Sequence, residues 1–575
     1  MTAGVSKVII GFRLNLVDLD DLRRFPTSEA VAENALRSAP PPGFSGYLGV
    51  ARRLSYLNAV VALVETSQLA EFIREAVSFD PVEYCDKNVR LRTLSYGSSL
   101  PEQYRLGQDI ADVLVQCHLG TPDNGEPFGL GTRIGLIDSG ISPHPLLPAL
   151  CGEELVLKRS TMHEFIPRAT RPSLCSRVQD VQRRAGVEGV GILASKNGSG
   201  IAASSPPSSL HLELQHFLDQ YVESLWDDWR KEVGTWFARH RQGARPKLPA
   251  YRNVIGSMRL ISPLSRSFLE DELAQDILDA DGHGTQMAGI LSALRPGMRQ
   301  VTPLGQLSKA SNLPLIYDVA GLCPYAELVV LKCFHQLDED DEECVKGGLV
   351  SLVDALVYAI DHKIDILYIG LALVDGGFNV PVSAANLLNK LANQGTIVVA
   401  PAGNDGNQSE LAFPAAFDSV RAVTSVRWDK KTLRLDLSPH SSIAKRRQHK
   451  EVSYCAYGGE EDDRIVTLGK DSGFAAVWGT SVAAAIATGC LASNASKLYA
   501  SRVQREYDLH MQSGNISPMD VQMAITGWQE SDVDRTSLAQ RIKAGCHPVN
   551  TTSQWNPVDC FGAGIIRVLP PTSMP

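Results

Sequence analysis

Short apolar runs rich in β-branched residues alternate with helical patterns from about residue 132 to residue 570. Because the runs are apolar along their whole length, each strand is expected to be buried on both faces. The pattern predicts an α/β fold in which helices cover both sides of a mainly parallel, doubly wound sheet. The predicted strands are Thr132–Ile137, Glu327–Cys333, Asp365–Gly370, Thr396–Ala400 and Val420–Val426.

Residues 1–94 have a different pattern, which predicts a separate small α+β unit. Three predicted strands alternate with two predicted helices, an order typical of a split βαβ fold. Ser67 is the predicted N-cap of the second helix. The strands are Val8–Leu14, Leu57–Glu65 and Val82–Leu91, and the helices are Ser28–Ser38 and Ser67–Phe79. The predicted organisation is a unit over 1–94, a large domain over 95–570 and a tail over 571–575.

An insertion over residues 150–275 interrupts the large domain. Within 210–240, apolar residues recur every three or four positions from Leu214 to Trp236, which predicts one long amphipathic helix. This helix either packs on the body of the protein, or forms a lid or a docking surface for a protein partner. The pattern leaves these alternatives open.

Composition narrows the classes of function. The 575 residues are 44% hydrophobic and 21% charged, which is typical of a globular protein. The net charge of −9 argues against nucleic-acid binding. The apolar core Val8–Phe12 is too short for a secretory signal, and Phe474–Ala492 is too rich in small and polar residues for a membrane span. Eleven scattered cysteines without a Cys-x-x-Cys pair favour a reducing compartment, so a cytoplasmic protein is expected, with secretion by an unrecognised route left open.

Three local motifs carry residue types that together make a covalent hydrolase. Asp138 ends the apolar run GLID, His283 lies in DGHGT, and Ser481 lies in GTS before an alanine-rich run. A serine hydroxyl becomes nucleophilic when a histidine takes its proton, and a carboxylate fixes the tautomer of that histidine. The order Asp, His, Ser along the chain is the order found in subtilisin.

These motifs resemble those of the subtilisin-like serine proteases, the subtilases. The resemblance implies a serine endopeptidase of subtilisin type that works through an acyl-enzyme on Ser481, with Asn404 in PAGND as the oxyanion donor. It requires no cofactor and no catalytic metal, although structural calcium is common in the family, with ligands that this sequence does not identify. Val482 and Ala485 stand where the family usually has methionine and proline, a change expected to alter packing only.

The resemblance also predicts a substrate cleft for a protein or peptide in extended form. One wall is expected at Gly370, Leu371 and Ala372, where the usual Ser-Leu-Gly is altered, and the other at Ala402 and Gly403. An acidic run, Asp338–Glu343, is either a solvated loop or a border of the cleft that favours basic substrate residues.

Residues 1–94 resemble the subtilase propeptide, which chaperones folding and then inhibits the enzyme. The alignment places self-cleavage between Leu94 and Ser95, with Leu91 and Leu94 at the fourth and first positions before the cut. A permanent accessory domain is the alternative for this unit. For the whole chain, the alternatives are a pseudoprotease that binds without cleaving, and an esterase or peptide ligase.

Overall fold

The computed structural model describes residues 4–13, 44–99, 129–142, 147, 264–293, 321–336, 345–373, 381–495 and 542–567, with short gaps inside several of these ranges. The predicted helix Ser28–Ser38, the 210–240 helix and most of the 150–275 insertion lie outside the described residues. The acidic run Asp338–Glu343 lies outside them as well.

The N-terminal unit is a four-stranded antiparallel sheet with one helix on one face. The strand order is β2-β3-β1-β4. Phe72 and Ala76 of the helix pack with Val8 and Ile10, while Ile9 belongs to the core of the large domain. The period of two in β1 therefore places the sheet between its own helix and the body. The elements are β1 (Val5–Phe12), β2 (Tyr47–Leu54), β3 (Ala59–Glu65), α1 (Leu69–Ser78) and β4 (Val82–Lys87).

Two predictions for this unit are wrong in detail. A 3-10 turn over Thr66–Gln68 precedes α1, so Gln68, not Ser67, occupies the N-cap position, and no side chain caps the helix there. The predicted strand Val82–Leu91 divides into β4 and a separate short strand, β5 (Leu91–Thr93).

The body contains the predicted mainly parallel sheet, which has eight strands. The order is β16-β15-β14-β12-β7-β9-β8, with β17 also paired to β15, and only β16 is antiparallel to its neighbour. The strands are β7 (Arg133–Asp138), β8 (Arg266–Ser267), β9 (Glu327–Lys332), β12 (Ile366–Ile369), β14 (Ile397–Pro401), β15 (Val420–Asp429), β16 (Arg434–Leu437) and β17 (Tyr454–Tyr457).

Helices cover both faces of this sheet, as the continuous apolar runs predict. In β7, Ile134 and Leu136 face one core, which includes residues of the helices at 283–292 and 480–495. Ile137 faces the other core, which includes residues of the helices at 349–361 and 382–393. The helices are α2 (His283–Ser292), α3 (Leu349–Asp361), α4 (Val382–Asn393), α5 (480–495) and α6 (Pro557–Phe561), and a further short helix covers 542–545.

Three small sheets complete the described fold, and two of them lie at the site. The strand β5 pairs with β13 (Leu371–Leu373), and β6 (Tyr96–Ser99) joins β18 (Ile465–Leu468) and β19 (Phe474–Trp478). The third is the hairpin of β10 (His335–Gln336) and β11 (Val345–Lys346). Among the described helices, none is long and apolar enough to cross a membrane.

Candidate active site

Asp138 is the last residue of β7, so its carboxylate emerges at the carboxyl edge of the parallel sheet, where sites form in open α/β folds. The residue is fully buried. Gly370, which follows the adjacent strand β12, packs directly on it: a Cβ at Gly370 would lie 2.1 Å from Asp138 Oδ2. A side chain at position 370 would therefore displace this carboxylate.

His283 is the first residue of α2, and its ring is oriented by Asp138. Nδ1 of His283 lies 2.7 Å from Asp138 Oδ1, and the imidazole is buried. Close approach of the two loops requires a glycine, because a Cβ at Gly284 would lie 2.1 Å from the carbonyl oxygen of Gly140. The glycine that follows His283 in the sequence thus has a steric cause.

The electrostatic surroundings of His283 favour its charged form. Burial alone lowers the pKa of His283, but the charge and hydrogen bond of Asp138, with the charges of Asp281 and Asp279, outweigh it, so the pKa is raised above 6.5. Asp281, whose Oδ1 accepts the backbone N–H of His283, has a pKa raised to about 6 by burial and by Asp279.

Asp279 joins the loop of Asp138 to the start of α2, a role that the sequence analysis missed. Its Oδ1 accepts hydrogen bonds from Ser139 Oγ and Gly282 N, and its Oδ2 accepts bonds from both the N–H and the hydroxyl of Thr285. Ser139 Oγ in turn accepts the N–H of Gly284. The spacing Asp279-Ala-Asp-Gly-His283 is the only local signal of this network, and an aspartate four residues before a histidine does not by itself indicate such a role.

Ser481 lies in the first turn of α5, directly after β19, and is fully buried. Its hydroxyl donates to Gly370 O at 3.5 Å, while His283 Nε2 has no hydrogen-bond partner among the described residues. Tyr368, also missed by the sequence analysis, donates its buried hydroxyl to the backbone oxygen of Ser481 at 3.2 Å. Asp138 and Ser481 therefore both contact Gly370 at the sheet edge, and His283 is hydrogen-bonded to Asp138 there.

Asn404 follows β14, and its amide is held in one orientation by Thr480. Oδ1 of Asn404 accepts the backbone N–H of Thr480 at 3.0 Å and the Thr480 hydroxyl at 2.7 Å. Because two donors fix Oδ1, the other end of the amide, Nδ2, must point away as a donor. Nδ2 donates to the carbonyl oxygen of Leu94 at 2.6 Å.

The carbonyl of Leu94 receives a second hydrogen bond, from the backbone N–H of Ser481 at 3.1 Å. Leu94 is 2% exposed, so this polar contact lies in a buried place. An amide side chain and the N–H of the serine thus converge on one peptide oxygen. Ser95, on the other side of that peptide, lies outside the described residues.

The chain crosses the site in extended form on both sides of Leu94. Before it, β5 pairs antiparallel with β13, with Thr93 opposite Leu371 and Arg92 opposite Ala372. After it, β6 pairs antiparallel with β19, from Tyr96 opposite Trp478 to Ser99 opposite Ala475. The body holds this segment by backbone hydrogen bonds, the mode in which a strand is added to a sheet edge.

Two residues of the predicted substrate wall, Leu371 and Ala372, pair with β5, as does Leu373 beyond them. The third, Gly370, contacts Asp138 and Ser481. The other predicted wall directly follows β14, and there Ala402 N–H donates to Val423 O and Gly403 N–H donates to the Thr480 hydroxyl. These bonds tie the wall to the strand β15 and to the turn before Ser481.

Within the described chain, no group of three or more histidine, cysteine or acidic side chains is arranged to hold a metal ion.

Comparison with protein families and known proteins shows which family and which relatives this chain is similar to. The subtilase family model matches residues 129–513, which is more than half of the 575-residue chain. The Minor extracellular protease Epr of Bacillus subtilis is 30% identical over 147 residues, covering 26% of this chain and 18% of Epr. The Major intracellular serine protease of the same organism is 28% identical over 233 residues, covering 40% of this chain and 60% of that protein.

Among solved structures, the epidermin leader peptide processing serine protease of Staphylococcus aureus superimposes with a TM-score of 0.49 at 12% identity, covering 98% of this chain and 97% of that one. The chain matches less than two thirds of the length of either curated relative above. The family model nevertheless spans the four segments that carry Asp138, His283, Asn404 and Ser481. The protein belongs to the subtilase family.

Proposed function

We propose that the protein is a serine endopeptidase and that its first substrate is its own Leu94–Ser95 bond. One observation carries the proposal: the Leu94 carbonyl oxygen accepts hydrogen bonds from both Ser481 N and Asn404 Nδ2. A peptide carbonyl held by two fixed donors beside a serine is positioned for attack, because the same donors meet the negative oxygen that attack creates.

In the first step, Ser481 Oγ attacks the carbonyl carbon of Leu94 while His283 Nε2 takes the hydroxyl proton. The hydroxyl must turn from Gly370 O toward Nε2, which has no other partner in the described chain. Asp138, 2.7 Å from Nδ1, keeps the proton on that nitrogen and stabilises the imidazolium that forms.

In the second step, His283 gives its proton to the nitrogen of Ser95, the peptide bond breaks, and Leu94 remains as an ester on Ser481. Water then attacks this ester with His283 again as the base, which releases a carboxylate on Leu94 and restores the serine. Each oxyanion is held by the Ser481 amide and Asn404, and loss of one such donor in subtilisin lowers turnover by about 10²–10³.

We propose further that the cleaved 1–94 unit stays bound and inhibits the enzyme. Its contacts away from the cleft support this. The carboxylate of Asp86 accepts the backbone N–H groups of Val382 and Ser383, and Asn88 Oδ1 accepts the N–H of Val350. These N–H groups lie in the first turns of α4 and α3, where a helix supplies no partner from its own backbone, and neither helix has a side-chain cap of its own.

For substrates in trans, we propose proteins or peptides that enter the cleft in extended form. Leu91 and Leu94 are each 2% exposed, which supports large apolar residues at the fourth and first positions before the cut. A protein partner at 210–240 and a cytoplasmic location stay predictions. The seven described cysteines form no disulfide with one another, which is compatible with a reducing compartment.

The test is mass spectrometry and N-terminal sequencing of purified full-length protein beside Ser481→Ala. We expect the wild type to yield a fragment that ends within a few residues of Leu94, and the variant to remain intact. An active wild-type enzyme with an uncut chain would make residues 1–94 an accessory domain. A chain that stays uncut and whose Ser481 is also not labelled by a fluorophosphonate probe would favour the pseudoprotease alternative.

A further inference from the structure

The segment in the cleft carries one charged side chain next to the bond proposed for cleavage. Leu91 and Leu94 are buried, whereas Arg92, two residues before Leu94, keeps 38% of its side chain exposed. The acidic run Asp338–Glu343, one predicted source of a preference for basic substrate residues, lies outside the described residues. Among the described residues, Arg92 forms an ion pair with a carboxylate next to the oxyanion donor.

Arg92 Nη2 donates to Asp405 Oδ2 at 2.6 Å. Asp405 directly follows Asn404, whose Nδ2 donates to the carbonyl of Leu94. The residue that holds the reacting carbonyl and the residue that meets Arg92 are therefore adjacent in one turn. The spacing between the oxyanion donor and this carboxylate is fixed by the backbone.

The turn that carries Asp405 is itself held in place. The N–H of Asp405 donates to Ser442 Oγ at 3.4 Å, its carbonyl accepts the Ser409 hydroxyl at 2.6 Å, and Gly406 N–H donates to His440 O at 2.8 Å. The strand register is fixed as well, since Arg92 lies opposite Ala372 in the β5–β13 pair. Any substrate that pairs with β13 in this register presents its third residue before the cut to Asp405.

We infer that Asp405 is a specificity-determining residue that selects substrates with arginine or lysine at the third position before the scissile bond. The inference rests on the proposed endopeptidase function and adds a charge preference to it. Both side chains are partly exposed, so the preference is modest, about two- to fivefold over a neutral residue. It should shrink at high salt, because solvent screens the pair.

The experiment is an internal competition. Full-length protein, after self-cleavage, receives a mixture of Leu-Xaa-Thr-Leu-Ser-Tyr-Gly-Ser-Ser peptides with arginine, glutamine or glutamate at Xaa. Mass spectrometry of the products gives ratios of kcat/KM that do not depend on how much enzyme is active. We expect the wild type to cleave the arginine peptide about two- to fivefold faster than the glutamine peptide, and the glutamate peptide most slowly.

The decisive variant is Asp405→Lys, in which the preference should invert in favour of glutamate, while Asp405→Asn should bring the arginine-to-glutamine ratio close to one. Asp418→Lys, which makes the same charge change at an exposed aspartate elsewhere, should keep the wild-type ratios. If the wild type and Asp405→Lys had equal arginine-to-glutamate ratios, the specificity inference would be overturned and the proposed endopeptidase function would stand. A wild type that cleaves neither itself nor any peptide would contradict the proposed function, and this inference with it.

Discussion

The N-terminal unit is attached to the body in two regions that differ in kind. In the cleft, Leu91–Ser99 is held by strand pairing and by two donors on the Leu94 carbonyl. Away from the cleft, one face of the N-terminal sheet packs on the core of the body, and polar side chains add contacts at α3 and α4. Asn88 and Asp86 accept N–H groups at the starts of the two helices, and Arg52 forms a bidentate pair with Asp354 within α3.

The difference concerns what cleavage would change. The cleft attachment runs through the Leu94–Ser95 bond that we propose is cleaved, so hydrolysis would divide it in two. The attachment at the helix ends involves no atom of that bond and would survive. In the proposed function, the first region serves the chemistry and the second serves retention, so substitutions in the two regions should have separable effects.

The largest effect on self-cleavage, with the fold retained, is expected from substitutions of the residues at the sheet edge. Replacing Ser481, His283 or Asp138 with alanine should each abolish most self-cleavage, with losses up to about 10⁶ that do not add, because the three act as a unit. The uncut chain should still elute as one folded species, since the helix-end contacts are untouched. Ser78→Ala, at an exposed serine of α1, is the control that should cleave normally. Cleavage by Ser481→Ala would refute the assignment.

Asn404→Ala should lower the rate of the chemical step by about 10²–10³ and leave substrate affinity nearly unchanged. The physical reason is that Nδ2 meets an oxygen whose charge grows during attack. Peptide kinetics on the variant separate kcat from KM. A variant whose defect lay mainly in KM would place Asn404 in ground-state binding and remove it from the oxyanion role.

The pH dependence of self-cleavage should follow His283. A base must be neutral, and the pKa of His283 is raised: burial lowers it, but Asp138 and the nearby Asp281 and Asp279 more than compensate. The rate should therefore fall about tenfold per pH unit below that raised pKa and level off above it. Because the charge of Asp281 raises the pKa of His283, Asp281→Asn should move the midpoint to lower pH. A midpoint that stays in place would assign the pH dependence to another group.

The catalytic residues and the N-terminal unit differ in how far the sequence could predict them. Asp138, His283, Asn404 and Ser481 each stand at the end of a strand or the start of a helix in a short motif, and the predicted strands around them are confirmed to within a few residues. Burial on both faces leaves a continuous apolar run that is easily recognised in sequence.

The N-terminal unit and its contacts with the body have weaker signals in the sequence. The strand β2 was missed because register shifts near Gly49 and Arg52 break its period of two. The pairing of Arg92 with Asp405 joins positions 313 residues apart, so no local pattern reports it. Likewise, the division of Val82–Leu91 follows from the chain turning at Asn88 to meet α3, a tertiary contact that strand propensity cannot show.

The smallest effect should come from the helix ends, and it is the one that tests retention. Asp86→Ala removes the carboxylate that accepts two N–H groups of α4, and loss of such a cap costs about 0.5–2 kcal/mol. Self-cleavage should proceed as in the wild type, but the fragment should bind about 2- to 30-fold more weakly. Dilution of the cleaved protein should then release peptidase activity at a higher protein concentration than in the wild type.

Glu83→Ala, an equal charge change at an exposed residue of β4, is the matched control. Identical dilution curves for Asp86→Ala and Glu83→Ala would show that the bonds of Asp86 to α4 do not help to retain the fragment, and the retention role assigned to the helix ends would fail.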